Sequence, residues 1–297
     1  MLSSHAATAP AIRLNAVAVA AVLLAGALAA WIATVARMKG MDDGPGTDLG
    51  GLGWYVGIWV TMMAAMMLPS VAPMVLLFAR VGRERTKRGA AFVPTWIFVA
   101  AYFAVWTAYG LLGYGAYRLI TAFDTGVLAW DRAGPYVAGA ALATAGLYEL
   151  TPLKRVCLRH CRSPLHFVLG GWRGGRAGAF RMGVEHGAYC VGCCWGLMVI
   201  LFALGVMSLL WMAVVAALIF VQKVLPGANR LMVPFAAAFV AFGVFVAAAP
   251  THVPGLTRPD AAPAMHMSPS EQMRPQGRMG KPMRQMEPRE QMTPMKK

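Results

Sequence analysis

The sequence predicts an all-α, polytopic transmembrane helical bundle of about seven spans, and three observations carry that prediction. Of its 297 residues 58% are hydrophobic and only 13% charged, about half the roughly 25% charge of a soluble domain. The charges come in clumps, and the uncharged runs between them reach the roughly 20 helical residues needed to cross a hydrocarbon layer about 30 Å thick. Lys and Arg gather in alternate loops, as in a chain threaded back and forth through a bilayer. A large soluble core is excluded, and lipid is the main solvent.

Residues 1–13 read as a short cytoplasmic N-terminus. The transmembrane domain, 14–249, holds spans at about 14–36, 54–79, 92–117, 135–153, 186–206, 207–225 and 231–249. Arg37 and Lys39 follow the first span directly, without a small-residue cleavage site, so it reads as a retained helix rather than a removed signal. The second contains Pro69 and Pro73, which predict a kink that frees carbonyls for other partners. Trp31, Trp54, Trp96 and Trp130 fall near span ends, where interfacial aromatics collect. The fifth and sixth spans are joined by almost nothing and form a tight hairpin.

Loop charge sets the orientation. Arg80, Arg83, Arg85, Lys87 and Arg88 face Glu84 alone between spans two and three. Lys154, Arg155, Arg159, Arg162, Arg173, Arg176 and Arg181 face Glu185 in loop 154–185. The first loop instead carries Asp42, Asp43 and Asp48. The positive-inside rule puts both basic loops and the N-terminus in the cytoplasm and the C-terminus outside. The net charge of +15 is thereby read as topology and lipid-headgroup contact rather than nucleic acid binding. In loop 154–185 the apolar patch from Leu165 to Leu169, with Trp172, suits the membrane interface. The glycines from Gly170 to Gly178 lack the Lys-Ser/Thr ending of a phosphate loop. Residues 250–297 are rich in Pro, Gln, Arg and Met and read as a disordered periplasmic tail. Its methionines are Met265, Met267, Met273, Met279, Met283, Met286, Met292 and Met295.

All five cysteines lie between Cys157 and Cys194. Such clustering favours ligation or redox chemistry over a disulfide framework. Cys157, His160 and Cys161 would share one face if the fourth helix continued to Pro164. The neighbouring cations would then favour the thiolates that bind metal. His186, Cys190 and Cys193 form a second stripe at i, i+4 and i+7, with Cys194 and Met198 on its edge. A buried cysteine is often just a small apolar residue, but three within five residues, one turn above a histidine, favour ligation. Thiolate and thioether select Cu(I), while Cys/His mixtures also suit Zn. Methionine tilts the choice to copper: Met62/Met66 and Met63/Met67 stack at i, i+4 as a candidate relay, and the tail has no core to pack. Glu149, ionisable at membrane depth, is a functional candidate by default, with a salt bridge to Lys154 or Arg155 as the plainer reading. His166 is a second supporting candidate. No hydrolase triad, glycosidase pair or nucleotide fingerprint appears.

Three stretches bear a resemblance: Met62-Met-Ala-Ala-Met-Met-Leu-Pro-Ser70; Tyr148-Glu-Leu-Thr-Pro-Leu-Lys154 leading into Cys157 to His166; and His186 to Trp195, followed by Trp211 and Lys223. They resemble a bacterial family of unknown function described as predicted metal-binding integral membrane proteins, some members of which are labelled copper chaperones. The similarity covers roughly residues 50–230 and implies membrane location and metal binding. Where a family member commonly carries Gln or a similar polar residue, this chain has Glu149. The tail lies outside the matching region.

The expectation is a multi-pass protein of a bacterial inner membrane, not an enzyme, that handles Cu(I) for import, chaperoning or delivery to cuproenzyme assembly. Its partners would be lipid, the metal ion and a cuproenzyme or copper chaperone. Two alternatives stand beside it. One is a thiol–disulfide oxidoreductase passing electrons from Cys157/Cys161 and Cys193/Cys194 to a quinone, which a cytoplasmic site disfavours. The other is a non-catalytic assembly factor with a structural metal.

Overall fold

The computed structural model describes residues 16–39, 49–123, 133–205, 208–225, 227, 230, 232–249 and 252. The N-terminal segment, the acidic first loop, Trp130 and the tail methionines lie outside them. Among the described residues the chain forms nine helices and no strand. In order they are α1 (Ala16–Met38), α2 (Leu52–Lys87), α3 (Thr95–Phe123), α4 (Gly134–Glu149), α5 (Pro152–Arg162), α6 (Pro164–Gly170), α7 (Gly175–Leu204), α8 (Leu209–Val224) and α9 (Met232–Ala248). Four of them, α1, α2, α3 and α7, are long and apolar enough to cross a membrane. The helices α4, α8 and α9 have 16, 16 and 17 residues, or roughly 24–26 Å of length.

The fourth helix does not run on to Pro164. It stops at Glu149, and α5 starts anew because Thr151 and Pro152 are a helix start signal. The Thr151 hydroxyl accepts a hydrogen bond from the Lys154 amide at 3.3 Å, and Pro152 takes the first helical position, where its missing N–H costs nothing. The long loop is correspondingly mostly helix. α7 begins at Gly175, whose φ of +75° suits glycine, rather than at 186. Its first turns carry Arg181 and Glu185, which pair with each other at 3.1 Å. α2 runs unbroken through Pro69 and Pro73, leaving the Ala65 and Pro69 carbonyls without their usual amide partners four residues on.

Contacts fix the helix directions. α2 and α3 are antiparallel: the Tyr55 hydroxyl and Trp59 indole donate to the carbonyls of Gly110 and Trp106 at 3.0 and 2.9 Å. At the other end Phe78 stacks on Phe98, with ring centroids 4.6 Å apart. α3 and α7 are parallel, since Gly183 meets Phe98, Gly187 meets Tyr102 and Val105, and Tyr109 donates to the Trp195 carbonyl. α4 and α9 cross antiparallel through Gly139 and Gly243. A Cβ at Gly139 would lie 2.5 Å from the Gly243 carbonyl oxygen, so only glycine lets the two backbones approach this closely. The core between the long helices is aromatic and thioether: Trp59, Trp106, Phe78, Phe98, Met62, Met63, Met66, Met67 and Met74 are all buried.

Candidate metal centre

Cys190, Cys193 and Cys194 sit in the middle third of α7, roughly 22–28 Å from its start and 15–21 Å from its end at 1.5 Å per residue. All three are buried, and their sulfurs lie within 4.8 Å of one another. The Sγ atoms of Cys193 and Cys194 are 3.3 Å apart. Cys161, at the end of α5, brings a fourth sulfur within 3.7 Å of Cys193. Sulfurs bound to one ion at about 2.3 Å are at most about 4.6 Å apart. Cys190, Cys193 and Cys194 therefore fit one soft ion with small side-chain movements, and Cys161 stands next to that group at Cys193. All five cysteines are free.

Two polar groups face Cys190. The Lys223 ammonium, near the end of α8, donates to its sulfur at 2.8 Å, and the Tyr102 hydroxyl of α3 lies 3.0 Å from it. An ammonium beside a thiol in a dry interior stabilises the thiolate that ligates metal. The residue before Lys223 ties the site to a second buried group. The Lys154 ammonium contacts Glu149 and donates to the Gln222 side-chain oxygen at 2.9 Å. The Gln222 amide donates to the other Glu149 oxygen at 2.9 Å. Glu149, Lys154 and Gln222 are each no more than 2% exposed. Glu149 thus forms the salt bridge to Lys154. Tyr148, beside it, donates to the Gly192 carbonyl, fastening the end of α4 to α7 next to the sulfurs.

The remaining sequence candidates are placed variously. Cys157 is buried, with its sulfur packed at Gly192, and the sulfur–sulfur contacts of the cluster do not include it. Burial pushes its thiol pKa up, against the expectation that its basic neighbours lower it. Lys154 is engaged by Glu149, Arg155 and Arg159 are exposed, and Arg162 donates to the Leu225 carbonyl. His160 is half-buried and stacks on Tyr189 at 4.1 Å, its Nδ1 2.9 Å from the Val156 carbonyl. His166 is exposed. His186 is buried among Phe98, Tyr102 and Phe167. Its Nδ1 has no hydrogen-bond partner among the described residues. Met62, Met63, Met66, Met67 and Met198 are buried in the core. Sequence reasoning gave no role to Lys223, Tyr102 or Gln222. For Lys223 and Gln222 a signal was present, since polar residues closing an apolar helix are costly unless they have partners. Tyr102 gave none, being one aromatic among many in α3.

Neither a curated protein nor a solved structure matches this chain. A family model described as PpoB2, copper chaperone, matches residues 56–246. The matched stretch includes the buried methionines of α2, the ion pair, Lys223 and every cysteine, so the helices and the sulfur cluster fall within it together, and the chain belongs to the PpoB2 copper-chaperone family.

Proposed function

We propose that this protein is a multi-pass inner-membrane carrier of Cu(I), holding the ion on Cys190, Cys193, Cys194 and Cys161 for transfer to a cuproenzyme or another chaperone. The observation that carries this reading is the gathering of the Cys190, Cys193 and Cys194 sulfurs, with Cys161 beside Cys193 and the buried Lys223 ammonium on Cys190, within a family described as copper chaperones. Soft thiolates favour Cu(I), and no histidine or carboxylate joins the buried sulfur group among the described residues. Zn is the competing ion, and the thioether-lined core supports copper over it. The role is binding and transfer rather than catalysis.

Seven spans, with the N-terminus inside and the C-terminus outside, are part of the proposal. The parallel run of α3 and α7 and the antiparallel pairs α2/α3 and α4/α9 agree with alternate crossing. The basic ends of α2 and α5 then lie in the cytoplasm. The Met-rich tail would first capture copper outside.

The test is copper per protein in purified wild type and in a Cys190→Ser/Cys193→Ser/Cys194→Ser variant, both loaded with Cu(I) and challenged with a chelator. Wild type should retain thiolate-bound copper, seen as Cu–S scattering in X-ray absorption, and the variant should lose it. Equal retention would sink the site. The approach of Cys161 to Cys193 also favours a second reading, a thiol–disulfide oxidoreductase in which that thiol pair is oxidised to a disulfide as a quinone takes up the two electrons and two protons to become a quinol. An intact mass two hydrogens lighter after quinone treatment, with no copper retained, would select it.

A further inference from the structure

Around the sulfur cluster, α7 carries further soft donors at regular steps. Met182, His186, Cys190, Cys194 and Met198 follow one another every four residues, and each is no more than 3% exposed. Side chains four apart on a helix are neighbours, about 5–6 Å between Cβ atoms. Each step advances about 6 Å along the axis and winds by about 40°, so the file covers about 24 Å, most of a hydrocarbon layer of about 30 Å. A thioether, an imidazole, two thiols and a thioether succeed one another without an intervening hard ligand.

His186 distinguishes this file from ordinary packing. Its ring lies 5.9, 5.7 and 5.4 Å from those of Phe98, Tyr102 and Phe167, yet its Nδ1 has no partner among the described residues. An apolar side chain would fill that box without leaving a buried nitrogen unsatisfied. Tyr102 joins the box to the cluster, with its ring stacked on His186 and its hydroxyl 3.0 Å from the Cys190 sulfur.

We propose that α7 is a transmembrane conduit for Cu(I), in which the thiol cluster is the resting site and His186 the adjacent station. Met198 and Met182 continue the path towards the two ends of the helix. The inference rests on the copper reading above. The ion stays Cu(I) throughout: at each step one bond from copper to sulfur or nitrogen forms as another breaks, and no electron moves. The rings around His186 keep water from the ion during that exchange.

The experiment uses the full chain in proteoliposomes, with a Cu(I)-specific chromophoric chelator inside and Cu(I) supplied outside under reductant. Wild type should fill the vesicles faster than the three-cysteine variant. His186→Phe should keep wild-type copper content while transfer falls about tenfold or more, the scale of losing a metal-site contact. Copper-loaded wild type that fills vesicles no faster than the three-cysteine variant would overturn the conduit and leave the binding site standing. So would wild-type transfer in copper-loaded His186→Phe. Wild type that holds no thiolate-bound copper at all would overturn the copper reading itself. Should His186→Phe lose its copper, Met182→Leu and Met198→Leu carry the test, being near-isosteric and outside the sulfur cluster. Slowed transfer in either supports the conduit, and wild-type rates in both overturn it.

Discussion

Replacing Glu149 by Gln changes little in shape and removes one charge. In the wild type Glu149 contacts the Lys154 ammonium through one oxygen and accepts from Gln222 through the other, and all three side chains are buried. Glu149→Gln preserves an acceptor for Gln222 but leaves the Lys154 ammonium, which has 0% exposure, without a counter-charge. Removing one partner of a buried ion pair typically costs about 3–5 kcal/mol, a large share of a total stability of about 5–15 kcal/mol. Removing both charges together, in Glu149→Gln/Lys154→Met, leaves no orphaned ion and should fall within about 1 kcal/mol of wild type, since an apolar replacement of a buried pair is often neutral. The assay is reversible unfolding in detergent micelles, titrated with a denaturing surfactant and followed by tryptophan fluorescence. A single variant as stable as wild type, or a double variant weaker than the single, would refute the reasoning.

Cysteine substitutions should separate the five thiols: Cys161→Ser lowers Cu(I) retention, because its sulfur reaches Cys193 at 3.7 Å, whereas Cys157→Ser leaves the copper-to-protein ratio unchanged. Equal losses in the two would mean that the geometric cluster is not the ligand set. Gly110→Ala should destabilise by about 1–3 kcal/mol, the usual cost of overpacking, because its Cβ would fall 2.3 Å from the Trp59 indole nitrogen. An unchanged unfolding midpoint would show that α2 and α3 do not meet there.

How much of this was legible in the sequence differs from element to element. The apolar runs marked α1, α2 and α3, because their interiors carry no charge and the bilayer criterion needs only length and hydropathy. The start of α7 was hidden because Arg181 and Glu185 read as a loop, whereas on a helix they neutralise each other one turn apart. The helix therefore starts about three turns before His186, and the cysteines lie in its middle third. α5 was legible as a helix but not as a separate one, since Thr151 and Pro152 act as a start signal only where the preceding helix ends, at Glu149. Spacing within α7 identified Cys190, Cys193 and Cys194 as one group. Cys161 came from another helix with Cys157 and His160 attached, and only packing of α5 on α7 selects it from that trio. Lys223 and Tyr102 reach Cys190 across 33 and 88 residues of sequence, a kind of contact that no local pattern encodes.

The buried ion pair acquires a purpose from where it sits. A charged pair in an apolar interior is weak evidence for stability, because a hydrophobic replacement often holds a fold as well. Here it joins three places that have to be aligned for the sulfurs to meet: the end of α4, the first turn of α5 and the last turn of α8. Gln222 belongs to the pair and the next residue, Lys223, belongs to Cys190. Adjacent residues on a helix point about 100° apart, so fixing Gln222 fixes the direction in which Lys223 reaches. Likewise Lys154 lies two turns before Cys161 on α5, so anchoring its ammonium sets the depth at which the fourth sulfur arrives. The charge-free double variant, Glu149→Gln/Lys154→Met, separates registration from stability. It should fold as well as wild type yet hold Cu(I) less tightly, because nothing polar then sets the register of α5 against α8. Wild-type copper retention in that folded variant would assign the alignment to the apolar contacts instead.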